Sequence, residues 1–119
     1  MSIYRKNRQH KNHNITDEEW IACKEYFNNE CAYCGLPLRE HWIMYSGNKI
    51  LGDFHKEHIN DNGSNDLSNC IPSCKSCNSQ KWETPFEQWY NKNNPRYTKE
   101  KFKKILKWKQ KDYLQYKSE

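Results

Sequence analysis

The chain has 119 residues, enough for about one domain, with 34% hydrophobic residues, 29% charged residues and a mean hydropathy of −1.30. A domain of this size buries only about two-thirds of its unfolded surface, so so polar a chain implies a thin apolar core and a need for some covalent or metal staple. No run approaches the roughly 18 apolar residues of a membrane span, and the first fifteen residues are polar and basic where an export signal would be apolar, so membrane and secreted readings are excluded and a cytoplasmic protein is expected. In a reducing compartment, six cysteines point to metal binding before disulfides.

The net charge of +5 is unevenly spread. Residues 1–15 carry +4 with no acid, residues 99–119 carry +5, and the centre, 16–98, carries −4. Basic ends suit a polyanionic partner, since each neutralised phosphate releases counterions, although a solvated lysine-rich helix face has the same composition.

In chain order, residues 1–15 have no apolar period and read as a basic flexible arm. Thr16-Asp-Glu-Glu19 is a capping box ahead of Trp20, Ile21, Cys23 and Phe27 at helical spacing, which predicts a helix over about 17–28. Cys31-Ala-Tyr-Cys34-Gly35 and Pro37 form a tight knuckle. Residues 41–45 and 49–58, separated by Ser46-Gly47-Asn48, fit an antiparallel hairpin. Residues 60–69, NDNGSNDLSN, are almost pure turn chemistry, and 74–81 suits one short helix. Thr84-Pro85-Phe86-Glu87 is a second capping box, with proline at the first helical position, opening a helix that Asn93-Asn94-Pro95 ends. Thr98 starts a last helix, to about 117, with Phe102, Ile105, Leu106, Lys109, Tyr113 and Tyr116 on one stripe.

Two pairs, Cys31-x-x-Cys34 and Cys74-x-x-Cys77, carry the strongest signal. Each turn sets two thiolates on one side of a loop, and two such loops complete a tetrahedral Zn²⁺ site with sulfur at about 2.3 Å. Four thiolates leave no open coordination position, so this zinc is expected to be structural; disulfide or redox chemistry is the competing reading. Cys23 and Cys70 read as small buried residues. Inside the loop, Glu57-His58 stands at a strand end, with the two side chains on opposite faces. One can bind a cation while the other handles a proton, and Glu57 with the carboxamide oxygen of Asn78 would suit Mg²⁺; standing alone, the dipeptide would read first as an exposed strand end.

The segment EHINDNGSNDLSNCIPSCKSCNSQK resembles the signature of the HNH endonucleases. It has an acid–His pair, a Gly-Asn-rich loop, an Asn ahead of a CxxC, and an Asn directly after it. The flanks WIACKEYFNNECAYCG and FEQWYNKNNPRYTKEKFKKILKW look like those of small stand-alone HNH proteins of phages and bacteria, so the resemblance covers about residues 16–110. It implies an α+β fold: a ββα-metal (His-Me finger) core at about 31–82 with a four-cysteine structural zinc, flanked by N-terminal and C-terminal helices, the latter over 84–117. The whole of 16–119 is then a single domain.

Carried over by position, the resemblance makes His58 the general base and Glu57 and Asn78 ligands of a catalytic Mg²⁺ or Mn²⁺. Asn69 becomes the residue that holds the loop so that the base points correctly. The implied reaction is hydrolysis of a DNA phosphodiester to 5′-phosphate and 3′-hydroxyl ends. Two departures mark a variant: Glu57 stands where the commonest pattern has Asp, and Asn60 where it has Pro. His55 should share the strand face of Glu57 and either approaches the metal or a phosphate or is an ordinary strand histidine. His10, His13 and His41 have no positional support as ligands. Lys75 and Lys81 beside the metal helix, and Lys103, Lys104 and Lys107 on the last helix, are the candidate contacts to double-stranded DNA. One active site suits nicking, so cutting both strands would take a homodimer or a partner protein. The alternative is a zinc-stabilised nucleic-acid-binding module without catalysis; a redox or zinc-storage protein would leave the Asn-rich loop and basic tail unexplained.

Overall fold

The computed structural model describes residues 13–118. Most of the arm 1–15, with His10, lies outside them, but its last residues are pinned. The Asn14 N–H donates to the Asn65 carbonyl at 2.8 Å, and Ile15 packs on the core.

Helix α1 (Asp17–Tyr26) starts as its capping box predicts: the Glu19 N–H donates to Thr16 Oγ1 at 3.0 Å and the Thr16 N–H to Glu19 Oε1 at 2.9 Å. It stops two residues before the expected 28, because Asn28 and Asn29 turn left-handed, at φ 61° and 54°. The knuckle follows, with Gly35 at φ 82°.

Strands β1 (Trp42–Tyr45) and β2 (Asn48–Leu51) pair antiparallel from Trp42↔Leu51 to Tyr45↔Asn48. Ser46 and Gly47 between them both have positive φ, the geometry of a two-residue hairpin turn. The expected second strand, 49–58, is in fact two strands in two sheets. Gly52 lies so close to Ile43 that a side chain there would collide with it, and Asp53 turns away to α1. The Asp53 carboxylate accepts from Trp20 Nε1 at 2.9 Å, Lys24 Nζ at 3.0 Å and the Phe54 N–H at 2.8 Å. Beyond this break, β3 (His55–His58) pairs with β4 (Cys70–Ser73) in the register His55↔Ser73, Glu57↔Ile71, His58↔Cys70. The sequence pattern predicts no element over 70–73; β4 forms there with Pro72 at the sheet edge, where its carbonyl accepts from the Ala32 N–H at 2.9 Å and docks the knuckle.

Helix α2 (Lys75–Lys81) forms as expected, capped by Cys74. The second capping box does not form: α3 (Phe86–Trp89) is a single turn with Pro85 as its uncapped N-cap. Helix α4 (Lys99–Gln110) is capped by Thr98, but it ends at Lys111 rather than near 117, followed by a 3₁₀ turn over Asp112–Gln115. The bend brings Asp112 Oδ2 within 2.6 Å of the Tyr26 hydroxyl, which donates to it.

The core is small and aromatic, as the composition requires. Trp108, Tyr33, Tyr90 and Ile105 are fully buried with Cys23, Ile59 and Ile71. The Trp108 Nε1–H donates to the Cys70 carbonyl at 2.9 Å, and the Cys23 thiol reaches the same oxygen at 3.6 Å. Helices α1 and α4 thus converge on one backbone atom of β4, directly opposite His58. The Tyr90 hydroxyl donates to the Tyr33 carbonyl at 2.5 Å and ties α3 to the first knuckle.

Two carboxyls in this frame titrate below their ordinary value. For Asp53, burial opposes ionisation, but the bonds from Trp20, Lys24 and Phe54 outweigh it; for Asp66, the Ser68 hydroxyl acts first, against burial, and Ser64 adds to it. In the unfolded chain both groups titrate near pH 4, as ordinary Asp residues do, so in acid the unfolded state binds more protons than the native one. Their contribution is complete above about pH 5 and is lost as pH falls through the native values. The urea midpoint should therefore drop between pH 5 and pH 3, and Asp53→Asn should make that drop shallower; equal pH slopes in both proteins would contradict the assignment.

Candidate active site and metal centre

The four cysteines of the two CxxC pairs converge. Their Sγ atoms all lie within 4.8 Å of one another, and Cys31, Cys74 and Cys77 are buried. A tetrahedron with 2.3 Å arms has edges of about 3.8 Å, and Cys34 Sγ to Cys74 Sγ measures 3.8 Å. That spacing is far beyond a disulfide, and all six cysteines are unbridged. The backbone prepares the sulfurs for negative charge: the Cys74 N–H donates to Cys31 Sγ at 3.3 Å and the Cys77 N–H to Cys74 Sγ at 3.4 Å. Crowding divides the thiols. Hydrogen bonds with neighbouring sulfurs push Cys31 and Cys77 up and hold Cys34 and Cys74 down, Cys34 to about 7. A soft, four-sulfur tetrahedral set fits Zn²⁺, with no position left for substrate. Cys23 and Cys70 stay outside the cluster as buried thiols.

Helix α2 runs from this cluster alongside β3, and at its far end the two elements are locked by charge. Lys81 Nζ lies 3.1 Å from Glu57 Oε2 and donates to the His58 carbonyl at 3.2 Å. The two side chains are 1% and 3% exposed, so this is a fully desolvated ion pair. Lys81, expected at the surface as a DNA contact, is therefore an interior residue. The Tyr33 hydroxyl makes a longer contact of 3.4 Å to the same carboxylate oxygen; burial, with the charge of Glu57 next, pushes that phenol well up.

His58, one residue on, points to the other face and is half-buried. Its Nε2 lies 2.8 Å from Asn65 Oδ1, and its ring lies 4.6 Å, centroid to centroid, from that of His13. With Asn65 Oδ1 as the acceptor, Nε2 carries the proton and Nδ1 bears the lone pair. Asn69 does not touch the imidazole. Its amide closes the loop around it, donating to the carbonyls of Asn60 and Ser64 at 2.9 Å each and accepting from the Asn60 N–H at 2.9 Å. Asn78 sits half-buried on α2, and its carboxamide makes no hydrogen bond to the described residues.

Three neighbours of the candidate site carry no signal as such in the sequence: Asn65 and His13, which meet His58, and His41. His41 is 3% exposed; its Nδ1 lies 2.8 Å from the Gly52 carbonyl and its Nε2 accepts from the Lys75 N–H at 3.0 Å, bridging the β1–β2 hairpin to α2. No spacing rule marks such a bridge; the only signal for Asn65 was its place in an Asn-rich loop following the histidine. His55 lies at the start of β3, and partial desolvation of its ring, then His41 and Lys75, hold its imidazole below the ordinary value. Lys75, Lys103 and Lys107 are exposed, whereas Lys104 Nζ lies over the Tyr26 ring at 5.3 Å.

Two outcomes test this centre. Cys74→Ser should lower bound zinc and thermal stability together, and chelation should do the same to the wild type; full stability without bound zinc would contradict a structural site. Lys81→Met should cost about 3–5 kcal/mol in urea unfolding, because it leaves a buried carboxylate without its counter-charge. Adding Glu57→Gln should recover most of that loss, and additive costs in the double variant would show that the two groups do not interact.

Residues 31–83 match the family model described as HNH endonuclease. A curated relative in Bacillus subtilis (strain 168), named "SPbeta prophage-derived putative HNH endonuclease YoqL", is 54% identical over 106 residues, which is 88% of this chain. The chain spans about half the length of that relative, 46%. No solved structure matches the chain. Among the described residues, no helix is long and apolar enough to cross a membrane. The thiol pairs, the acid–His strand, the Asn-closed loop and the short helix all fall inside the matched segment, so residues 31–83 are similar to an HNH endonuclease domain.

Proposed function

We propose that the protein is a metal-dependent endonuclease that hydrolyses DNA phosphodiester bonds, leaving 5′-phosphate and 3′-hydroxyl ends. The observation that carries this is the setting of His58. Its Nε2 lies 2.8 Å from Asn65 Oδ1 within a loop that Asn69 staples, so the ring is oriented by one direct hydrogen bond and by the closed loop that supplies it. A neutral imidazole so fixed takes a proton from water near neutral pH. Glu57 and Asn78 offer hard oxygen donors on the adjacent β3 and α2, a donor type that fits Mg²⁺ or Mn²⁺ with water completing the shell. Such a cation supplies charge stabilisation at the scissile phosphate and the leaving 3′ oxygen. Lys81, through Glu57 Oε2 and the His58 carbonyl, fixes the spacing between strand and helix on which both donors depend. Zinc, in this reading, fills the four-thiolate cluster and takes no part in the chemistry. DNA cleavage on both strands would use a second copy or a partner protein.

A second reading, a zinc-stabilised DNA-binding module without catalysis, draws on the same ion pair: Glu57 is already neutralised by Lys81 and needs no cation for charge balance. Plasmid cleavage separates the two. With Mg²⁺ or Mn²⁺ the wild type should nick supercoiled plasmid, and His58→Ala should cut at least about a hundredfold more slowly, the usual contribution of a general base. Asn65→Ala should fall between them. Equal cutting by wild type and His58→Ala, or no cutting by a folded, zinc-loaded wild type, would overturn the nuclease assignment.

A further inference from the structure

The β1–β2 hairpin lies outside the thiol cluster, the β3–β4 pair and the core, and its side chains are unlike the rest of this polar surface. Trp42 is 52% exposed, Met44 62% and Tyr45 67%, on a hairpin whose strands are four residues each. Residues directly opposite share a face, so the register Met44↔Lys49 and strand alternation put Trp42, Met44 and Lys49 on one side.

That side borders a cleft of about 570 Å³ whose opposite wall is α2, with Lys75, Ser76 and Ser79 lining it. Neither Lys49 nor Lys75 forms an ion pair with a carboxylate among the described residues, and Glu40 is the one acid on the cleft wall. The lining therefore combines an indole face, two opposed ammonium groups and two hydroxyls. Phosphate is the ligand that opposed lysines and hydroxyls share, and an exposed indole beside them offers a base or sugar a surface to stack on.

Two features make this a built groove rather than a loose hairpin against a helix. His41 bonds the Gly52 carbonyl at the hairpin base and the Lys75 N–H at the start of α2, fixing the distance between the walls. Across α2, Lys75 and Asn78 are three residues apart and so are neighbours on the helix surface, which makes the groove continuous with the residue proposed above as a metal ligand.

We propose that the cleft between the β1–β2 hairpin and α2 is a nucleic-acid tract. In it Trp42 packs on a base or sugar, while Lys49 and Lys75 grip the phosphates of a DNA strand leading to the cutting site. The tract deepens the nuclease reading by naming where its substrate lies.

The experiment measures fluorescence anisotropy of a labelled duplex of about 20 base pairs, and of each of its strands, in magnesium-free buffer, across a salt series. Zinc content and circular dichroism of every variant check folding. Trp42→Ala should weaken binding about tenfold, whereas Trp42→Phe should stay within about threefold of wild type, since stacking needs an aromatic face. Lys49→Ala and Lys75→Ala should each reduce the salt slope by about one. Lys92→Ala, exposed on a different loop, should leave affinity and slope close to wild type.

Unchanged affinity in the Trp42, Lys49 and Lys75 variants would overturn the tract, and so would a wild type that binds neither duplex nor strand. A Trp42→Ala protein that binds DNA normally but sediments as a monomer where wild type is dimeric would assign the face to a second copy instead. Cleavage keeps the two readings apart. A wild type that nicks plasmid with unaltered variants retains the nuclease and loses the tract; a wild type that never cuts but loses affinity in the variants retains the tract and loses the nuclease.

Discussion

Four sulfur atoms within 4.8 Å of one another set the conditions for everything else in this molecule. They join residue 31 to residue 77, and between them hang the hairpin, the strand with Glu57 and His58, and the Asn-rich loop. With a core of a few aromatic rings, burial alone provides little for these short strands; two-stranded sheets are marginal in isolation. The sulfur cluster also aims them. Cys74 is both a member of the cluster and the N-cap of α2, so the metal-binding corner is the point from which the helix bearing Asn78 and Lys81 departs.

Charge does the second part of the positioning, in a place where water cannot screen it. The Lys81–Glu57 pair fixes the far end of α2 to β3, while the sulfurs fix its near end to the first knuckle. Between these points the chain leaves its polar chemistry, His58 on one face and Asn78 on the flank, with backbone geometry determined from outside. Such a pair adds little net stability compared with an apolar substitute, so its value here lies in register and spacing.

Some of this is written locally in the chain and some is not. The thiol pairs, the Thr16 box and the loop of turn residues are read from neighbours three or four positions apart, and each forms where its pattern lies. What could not be read depends on partners distant in sequence. The run 49–58 splits because Asp53 meets Trp20 and Lys24 on a helix some thirty residues earlier. Pro72 enters a strand because its missing N–H faces away from the ladder and its carbonyl is used by Ala32. Lys81 goes inside because Glu57 waits there, and the last helix ends at Lys111 because Asp112 turns to Tyr26. For the candidate site the same division holds. The types and order of Glu57, His58, Asn69 and Asn78 stand in the sequence with the family resemblance; the contacts of Asn65, His13 and His41, which decide orientation, emerge only from the fold.

The atom opposite His58 has a property that side chains lack. Trp108 and Cys23 reach the carbonyl oxygen of Cys70, which belongs to the peptide and not to the residue type. Replacing the buried Cys70 by a residue of similar size leaves that acceptor in place, so the junction of α1, α4 and β4 is invisible to conservative side-chain changes at that position. It is exposed only from the donor side, at Trp108 and Cys23, or by chemistry that alters the backbone. The geometry behind His58 is thus insulated from the commonest kind of sequence change at the nearest position, and vulnerable at residues 35 and 50 positions away along the chain.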